Sequence, residues 1–423
     1  GVEIYDLLTR WNPLRCDQFC AKPYNGKKVL IMGMGPAGFT LAHYLLMEGF
    51  AVVGTEGLKI EPLPQKVVAQ PIYRYDDLTE HLDNRVMAGF GGVAEYGITV
   101  RWDKNFLKLI YISLMRRPHF QVFGSVRFGG TLCVEDAWAL GFDYLAVAVG
   151  AGLPSELAIP HSLAPGMRQA NDFLMALQLT GTAKASSLAN LQVRLPAVVI
   201  GGGLLGLEAA AGLKAQGMDV TVLHLMPTLL ERQLDPAAGY LLQKELERRG
   251  IEVRCGANTR AILGNDRVAG VELEDGTRLQ ASLVVMAVGI RPNTQLAKEA
   301  GLDVQRGIVT DAAMRCSDPD VLSLGECTEV DGRVYGLVAP LYQMARVAAA
   351  TLTGTEAAFA HAETPTKLKV TGINLYSVGD FGDGPDREDV VLRDASVDVG
   401  ARKLDVRIDQ APTAASAIVF IEA

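Results

Sequence analysis

The chain has 423 residues, 49% of them hydrophobic and 21% charged, which excludes a disordered or fibrous protein. At about 150 residues per domain it holds two or three domains. Its 48 acids outnumber its 40 Lys and Arg, giving a net charge of −8 with no basic cluster, so no nucleic-acid partner is expected.

Residues 1–26 read as an irregular polar and aromatic lead-in that opens without a signal-peptide pattern. Lys27 to Met32 is an apolar strand and Gly33-Met34-Gly35-Pro36-Ala37-Gly38 a glycine turn. A helix from Phe39 to Glu48 and a strand from Phe50 to Gly54 complete one βαβ unit. Tyr144 to Ala148 is a later apolar strand that empties into Val149-Gly150-Ala151-Gly152. Residues 156–192, rich in Ser, Ala, Leu and Thr, read as a helical connector. After Leu195-Pro196 the unit returns. Ala197 to Ile200 is its strand, Gly201-Gly202-Gly203-Leu204-Leu205-Gly206 the turn, Leu207 to Gln216 the helix and Asp219 to His224 the next strand. The two copies are offset by 168 residues (33 to 201). Val268 to Leu279 is a hairpin turning at Asp275-Gly276. Leu283 to Ala287 runs into Val288-Gly289, and Asp320 to Leu324 ends on Gly325-Glu326. A helix follows Pro340, with Leu341 to Leu352 in helical pattern. Beyond about residue 359 the pattern weakens, and 380–423 reads as a small β-rich tail. No apolar run of roughly 18 residues is free of charge. Ala197 to Ala215 comes nearest and carries Glu208 and Lys214, so no membrane span is expected.

The 44 glycines exceed the average share of about 7% without a collagen period, so bare backbone is needed repeatedly. A lone G-x-G-x-x-G recurs by chance and can be a tight turn with no ligand. Here two copies each lie between a strand and a helix, the context a dinucleotide requires. The first glycine allows the turn, the second lets backbone approach a pyrophosphate, and the third lets the helix pack on the strand. The helix N-terminus turns free N–H groups to the phosphates, and Pro36, Ala37, Leu204 and Leu205 of the turns are expected among the cofactor-binding residues. The expected fold class is therefore α/β, with two Rossmann-like dinucleotide-binding domains and a small β-rich C-terminal tail.

Together with the strand ending at Gly325-Glu326, these turns give the chain a resemblance to the FAD-dependent pyridine nucleotide oxidoreductases. The resemblance implies that Gly33, Gly35 and Gly38 serve FAD, with Gly325 and Glu326 at its ribityl–pyrophosphate region. It assigns Gly201, Gly203 and Gly206 to NAD. That family usually has Asp where this chain has Glu326. Residues 24 to 196 resemble the small subunit of glutamate synthase, with Gly91-Gly92-Val93-Ala94-Glu95-Tyr96-Gly97-Ile98 similar to a segment placed near the flavin. Residues 197 to 381 resemble the FAD/NAD part of NADH-dependent nitrite reductase. Leu225 to Asp235, Tyr335 to Leu341 and Lys367 to Ile373 carry that likeness. The implied division is a lead-in (1–26), an FAD-binding part with connector (27–192) and an inserted NAD(P)-binding domain (193–298). The rest of the FAD-binding domain (299–358) and a small C-terminal domain (359–423) follow. Gly150 and Gly289 stand at the echoing turns of the two folds.

The end of the second strand reads the ribose 2′ position, where an acid favours NAD and a nearby Arg NADP. In the first fold Glu56 holds that place; the alternative is a solvated turn acid. In the second fold it is His224, followed by no Arg until Arg232, so NAD is expected. His224 is either a ribose donor or a strand-end residue. Glu208 is either turned to the nucleotide or a first-turn acid complementing the helix dipole. The N–H groups of Val338 and Ala339 are expected at the flavin pyrimidine edge; the alternative is a buried amphipathic helix. No catalytic side chain is needed, because the cofactors carry the hydride, and no metal site is expected.

A disulfide route needs a close cysteine pair. Cys133 stands alone, Cys16 and Cys20 are four apart, and no C-x-x-C occurs. The expected activity is an FAD-dependent NAD(H) oxidoreductase that passes electrons to an iron–sulfur partner subunit. A substrate-converting subunit would complete a cytoplasmic hetero-oligomer. Among such complexes the chain is similar to the flavin subunit of tungsten-dependent aldehyde oxidoreductases. The alternatives are a stand-alone NAD(P)H reductase of rubredoxin, ferredoxin or nitrite-reductase type, and a non-catalytic nucleotide-binding flavoprotein.

Overall fold

The computed structural model describes residues 21–80, 89–96, 105–151, 153–170, 172–173, 196–215, 217–361, 366–370, 373–378 and 418–422. In chain order the elements used below begin with β1 (Lys28–Met32), α1 (Pro36–Met47), β2 (Ala51–Thr55), α2 (Asn105–Met115), β3 (Phe120–Phe123), α3 (Val134–Ala139), β4 (Tyr144–Val147) and β5 (Met167–Gln169). Then come β6 (Ala197–Ile200), α4 (Leu204–Ala215), β7 (Val220–Leu223), α5 (Pro236–Arg248), β8 (Ile251–Arg254), β9 (Thr259–Leu263), β10 (Gly270–Leu273), β11 (Arg278–Gln280) and β12 (Leu283–Met286). The last are β13 (Val321–Ser323), α6 (Val338–Leu352), β14 (Thr366–Val370), β15 (Ile373–Val378) and β16 (Ile418–Glu422).

The chain divides into two compact units, one of residues 1–153, 174–191 and 290–361, the other of 154–173, 192–289 and 362–423. In the first unit a parallel sheet runs in the order β13-β4-β1-β2-β3. Val29, Leu30, Ile31 and Met32 of β1 are all buried, as a central strand covered on both faces requires. One face packs on α1, α2 and α6 through Leu41, Leu45, Leu107, Met344 and Ala348. The sheet is completed by β13, which lies beside β4 with Val321 opposite Leu145 although 173 residues separate them (148 to 320).

In the second unit the parallel order is β5-β12-β6-β7-β8, the same arrangement about its own glycine turn. The expected hairpin forms as β10 and β11, joined antiparallel to β9. Gly276 takes φ +82, and the Asp275 carboxylate accepts the Thr277 N–H at 2.8 Å. The tail strands β14, β15 and β16 make a three-stranded antiparallel sheet. Ile373 and Leu375 of β15 join the core around α4 and α5.

Two local expectations change. The first part of the expected helical connector is not helical: 156–169 is extended and turning, Met167–Gln169 adds an edge strand parallel to β12, and helical geometry appears only at Ala170, Asp172 and Phe173. Pro160 and Pro165 break any helix there; residues 174–195 lie outside the described residues. All three site helices also begin earlier than their periodicity implies, at Pro36, Leu204 and Val338. Most of the lead-in, with Cys16 and Cys20, and residues 379–417 of the tail lie outside the described residues. Among the described residues no helix is long and apolar enough to cross a membrane.

Candidate nucleotide sites

The two glycine turns are built alike, atom for atom. Gly33 has φ +98 and Gly201 φ +118, conformations that glycine adopts without strain. Their N–H groups donate to the carbonyls of Thr55 and Leu223 at 2.9 and 2.8 Å. A Cβ on Gly33 would lie 2.3 Å from the Ala148 oxygen, and one on Gly201 2.2 Å from that of Ala287. A Cβ on Gly38 would meet the Gly33 oxygen at 1.9 Å, and one on Gly206 the Gly201 oxygen at 1.9 Å. Gly33 and Gly201 therefore let the turn lie against the end of the neighbouring strand, and Gly38 and Gly206 let the helix close on the turn.

The middle glycines differ from them. Around Gly203 nothing lies within 4 Å of an added Cβ, and around Gly35 the nearest atom is the Gly91 oxygen at 3.8 Å. Space is thus kept at the position where backbone must approach a pyrophosphate. Pro36 and Ala37 open α1, and Leu204 and Leu205 open α4. Neither helix carries an acid in its first turn. By contrast α5, to which no ligand is assigned, is closed by Asp235, whose carboxylate accepts the Ala238 N–H at 2.6 Å.

In the first unit the other expected residues gather around α1. A Cβ on Gly92 would come within 3.0 Å of the Gly35 Cα, so Gly91 and Gly92 (φ +110 and +53) lie against the turn. Gly325 (φ +95) abuts Ala37, its added Cβ 3.0 Å from that side chain, and donates its N–H to the Met344 sulfur at 3.4 Å. Gly150 (φ +66) has open space beside it, and its carbonyl accepts the Asn293 N–H at 3.0 Å. Val338 and Ala339 are the first two residues of α6, which starts from Leu337 with no side-chain cap and no first-turn acid. The Glu56 carboxylate accepts the Met34 N–H at 3.1 Å, so it faces the turn and is not a solvated loop acid. Burial pushes its pKa up against the pull of the Met34 and Leu58 N–H groups. Burial likewise raises Glu326, opposed by the Ala151 N–H.

In the second unit His224 is buried and both ring nitrogens are engaged. Nδ1 accepts the Gly202 N–H at 3.1 Å. Nε2 therefore carries the hydrogen of the neutral ring and donates it to Glu231 at 3.1 Å. Of the two readings of His224, this geometry favours the strand-end one. Glu208 is buried in α4. Gly289 (φ +109) accepts the Ser155 N–H at 2.9 Å through its carbonyl. Glu231 escaped the sequence reading; its signal was the repeat itself, since the offset that carries Gly33 to Gly201 carries Glu56 to a histidine.

Among the described residues the cysteines do not offer a thiolate. The Cys133 thiol donates to Asp136 at 3.0 Å, and that bond pushes its pKa up. Cys327 is fully buried and raised by burial, and Cys316 is raised to about 12. Among the described residues no His, Cys, Asp and Glu group is arranged to hold a metal ion. Open middle glycines, uncapped helix starts and buried acceptors beside them fit dinucleotides at both turns.

A model of the pyridine nucleotide-disulphide oxidoreductase family matches residues 27–354. The nitrite reductase [NAD(P)H] of Bacillus subtilis is 44% identical over 254 residues, 60% of this chain and 30% of that protein. The assimilatory nitrate reductase electron transfer subunit of the same organism is 43% identical over 184 residues, 43% of this chain and 24% of that one. The chain thus spans less than a third of the length of these curated relatives. Among solved structures, a ferredoxin reductase from Rhodopseudomonas palustris superposes with a TM-score of 0.60 at 25% identity, covering 84% of this chain and 82% of that one.

Proposed function

Since the chain belongs to the pyridine nucleotide-disulphide oxidoreductase family and is an FAD-dependent NAD(P)H oxidoreductase, we propose that it is the NAD(H)-coupling flavin subunit of a larger redox complex. Its partners in this reading are an iron–sulfur electron-transfer subunit and a substrate-converting subunit, with a tungsten-dependent aldehyde oxidoreductase as the proposed enzyme. The observation that carries the reading is the pair of intact glycine turns on a chain whose described cysteines are all held as thiols. The described cysteines offer no thiolate to receive them, which supports a separate acceptor for the electrons. Likeness to a subunit named for electron transfer supports the same direction.

When bound, FAD exchanges a hydride with the nicotinamide and can release electrons singly. The chain supplies positioning. Gly35 and Gly203 leave room for pyrophosphates, and the first N–H groups of α1 and α4 face them. Gly91, Gly92, Gly150 and Gly325 keep side chains away from the first nucleotide. Glu56 and Glu326 would accept hydrogen bonds from hydroxyl groups of its ribose and ribityl parts. The N–H groups of Val338 and Ala339 offer positive potential to the flavin. Glu208 and Gly289 belong to the nicotinamide side.

The test is anaerobic mixing of the FAD-loaded chain with NADH. Bleaching of the flavin, reduction of an artificial one-electron acceptor and no oxidation of aldehydes by the chain alone are expected. Flavin that stays oxidised sinks the proposal. A second reading, a stand-alone reductase of a small iron–sulfur carrier, is favoured by the near-full-length match to a ferredoxin reductase. Native mass measurement separates the two: the first expects cluster-bearing partners, with metals identified on purification from the native source, and the second a monomer or homodimer.

A further inference from the structure

We propose that Glu231 is the residue that selects NADH over NADPH, and that His224 is the positioning residue that holds it. The inference rests on the nicotinamide reading of the Gly201–Gly206 turn and adds to it the atoms that choose between the two dinucleotides.

The argument starts from the repeat. In the first unit one side chain does two jobs. Glu56 takes the N–H of the second turn residue, Met34, and places negative charge at the end of β2. The matching second turn residue in the other unit is Gly202, and its N–H goes to Nδ1 of His224. His224 thereby does the first job but not the second: a ring whose Nδ1 accepts is neutral, and its single N–H is spent on Glu231. The negative charge is displaced outward by the width of one imidazole, onto Glu231. Its side chain remains 32% exposed, against 9% for His224, so the carboxylate can still be reached by a ligand.

The segment that carries Glu231 is anchored, which fixes the carboxylate. Leu229, Leu230 and Leu234 are buried, and the Leu230 N–H donates to the Gly202 carbonyl at 3.3 Å. A Cβ on Gly202 would strike Leu229 at 2.5 Å and the His224 ring at 2.7 Å, so the glycine is what lets ring and segment close on the turn. The cation that strand register brings nearest is Arg254, opposite Leu223, whose carbonyl accepts the His224 N–H. Its guanidinium is already paired with Glu252 at 2.7 Å. Arg232 adjoins Glu231 in sequence and is exposed. A ribose 2′-hydroxyl can donate to Glu231, whereas a 2′-phosphate would bring like charge against it while the strand cation is occupied.

The experiment titrates the FAD-loaded protein anaerobically with NADH and with NADPH, reading a Kd for each and the flavin reduction rate at saturation. Glu231→Gln is expected to cut the preference for NADH by about tenfold or more, the loss of one charge-assisted hydrogen bond. His224→Phe gives a similar loss of preference through misplacement of Glu231. The double variant His224→Glu with Glu231→Gln, which puts the acid where Glu56 stands in the other unit, regains the preference. An unchanged preference in Glu231→Gln, with unaltered Tm, overturns the inference alone, as does a parent protein that prefers NADPH. A parent that binds neither dinucleotide overturns the proposed function and this inference with it.

Discussion

At the residue scale the glycines of each turn divide into two kinds that one spelling conceals. An added methyl on Gly206 has a carbonyl oxygen 1.9 Å away, whereas one on Gly203 has nothing within 4 Å. We therefore expect Gly206→Ala to lower Tm whether or not nucleotide is present. Gly203→Ala should fold with an unchanged Tm and bind NADH at least about tenfold more weakly. Thermal melts with parallel NADH titrations check both, and equal melting losses in the two variants would contradict the division. Glu56 yields a pH-dependent expectation. Burial raises its folded pKa, so its proton stabilises the flavin-free fold below the ordinary carboxylate range, and that stability is lost as pH rises through the raised value. Flavin-free Glu56→Gln should accordingly melt above the parent at pH 7, with the gap closing towards pH 4, while binding FAD more weakly. A gap that does not depend on pH would remove burial as its cause. The turn glycines were legible because their spacing and context are local. The work of His224 was not, because Glu231 and Gly202 meet it only once the segment after β7 folds back.

At the element scale, the strands that were read matched almost to the residue, β3 and β8 were not read, and helix starts were placed late. Buried strands such as β1 and β6 announce themselves by unbroken apolar runs. The starts of α1, α4 and α6 are hidden by glycine, leucine and proline, residues that carry little helical signal although backbone geometry there is helical from Pro36, Leu204 and Val338. The first part of the connector, 156–169, was misread because composition stood in for pattern, while two prolines and the open edge of β12 decided otherwise. The uncapped start of α6 carries a test. Leu337 has extended geometry (φ −121, ψ 151) suited to a capping side chain. Leu337→Asp should stabilise the flavin-free protein by roughly 1 kcal/mol through capping. It should also lower the flavin reduction potential by placing negative charge where Val338 and Ala339 are proposed to face the flavin. A raised Tm with an unchanged potential would separate the helix from the flavin.

At the scale of the whole molecule, the second unit interrupts the first in the chain; the repeat of 168 residues showed two like units, and the family resemblance implied that one is inserted in the other. What sequence did not show was that the described tail strands β14 to β16 belong with the second unit: the likeness to a family says where a tail begins, not what its apolar face covers. Two units with separate ligands should melt as two transitions. FAD at 100 times its Kd should raise one of them by about 2.7 kcal/mol of stability. NADH should raise the other. Calorimetry of the flavin-free chain with each ligand in turn decides it, and a single ligand that moves both transitions equally would show that the units unfold as one.

The place of β13 bears on how the protein is made. Residues 197–286 supply nearly the whole second sheet in one stretch, so it can form as soon as that stretch leaves the ribosome. The first sheet must wait with β4 unpaired on one side until residues 321–323 are synthesised. At about 5–20 residues per second that wait lasts on the order of 10–30 s, during which an open apolar strand edge invites wrong pairing. Flavin loading is thereby a late event of biosynthesis, and free FAD supplied during translation should raise the soluble yield more than FAD added after release.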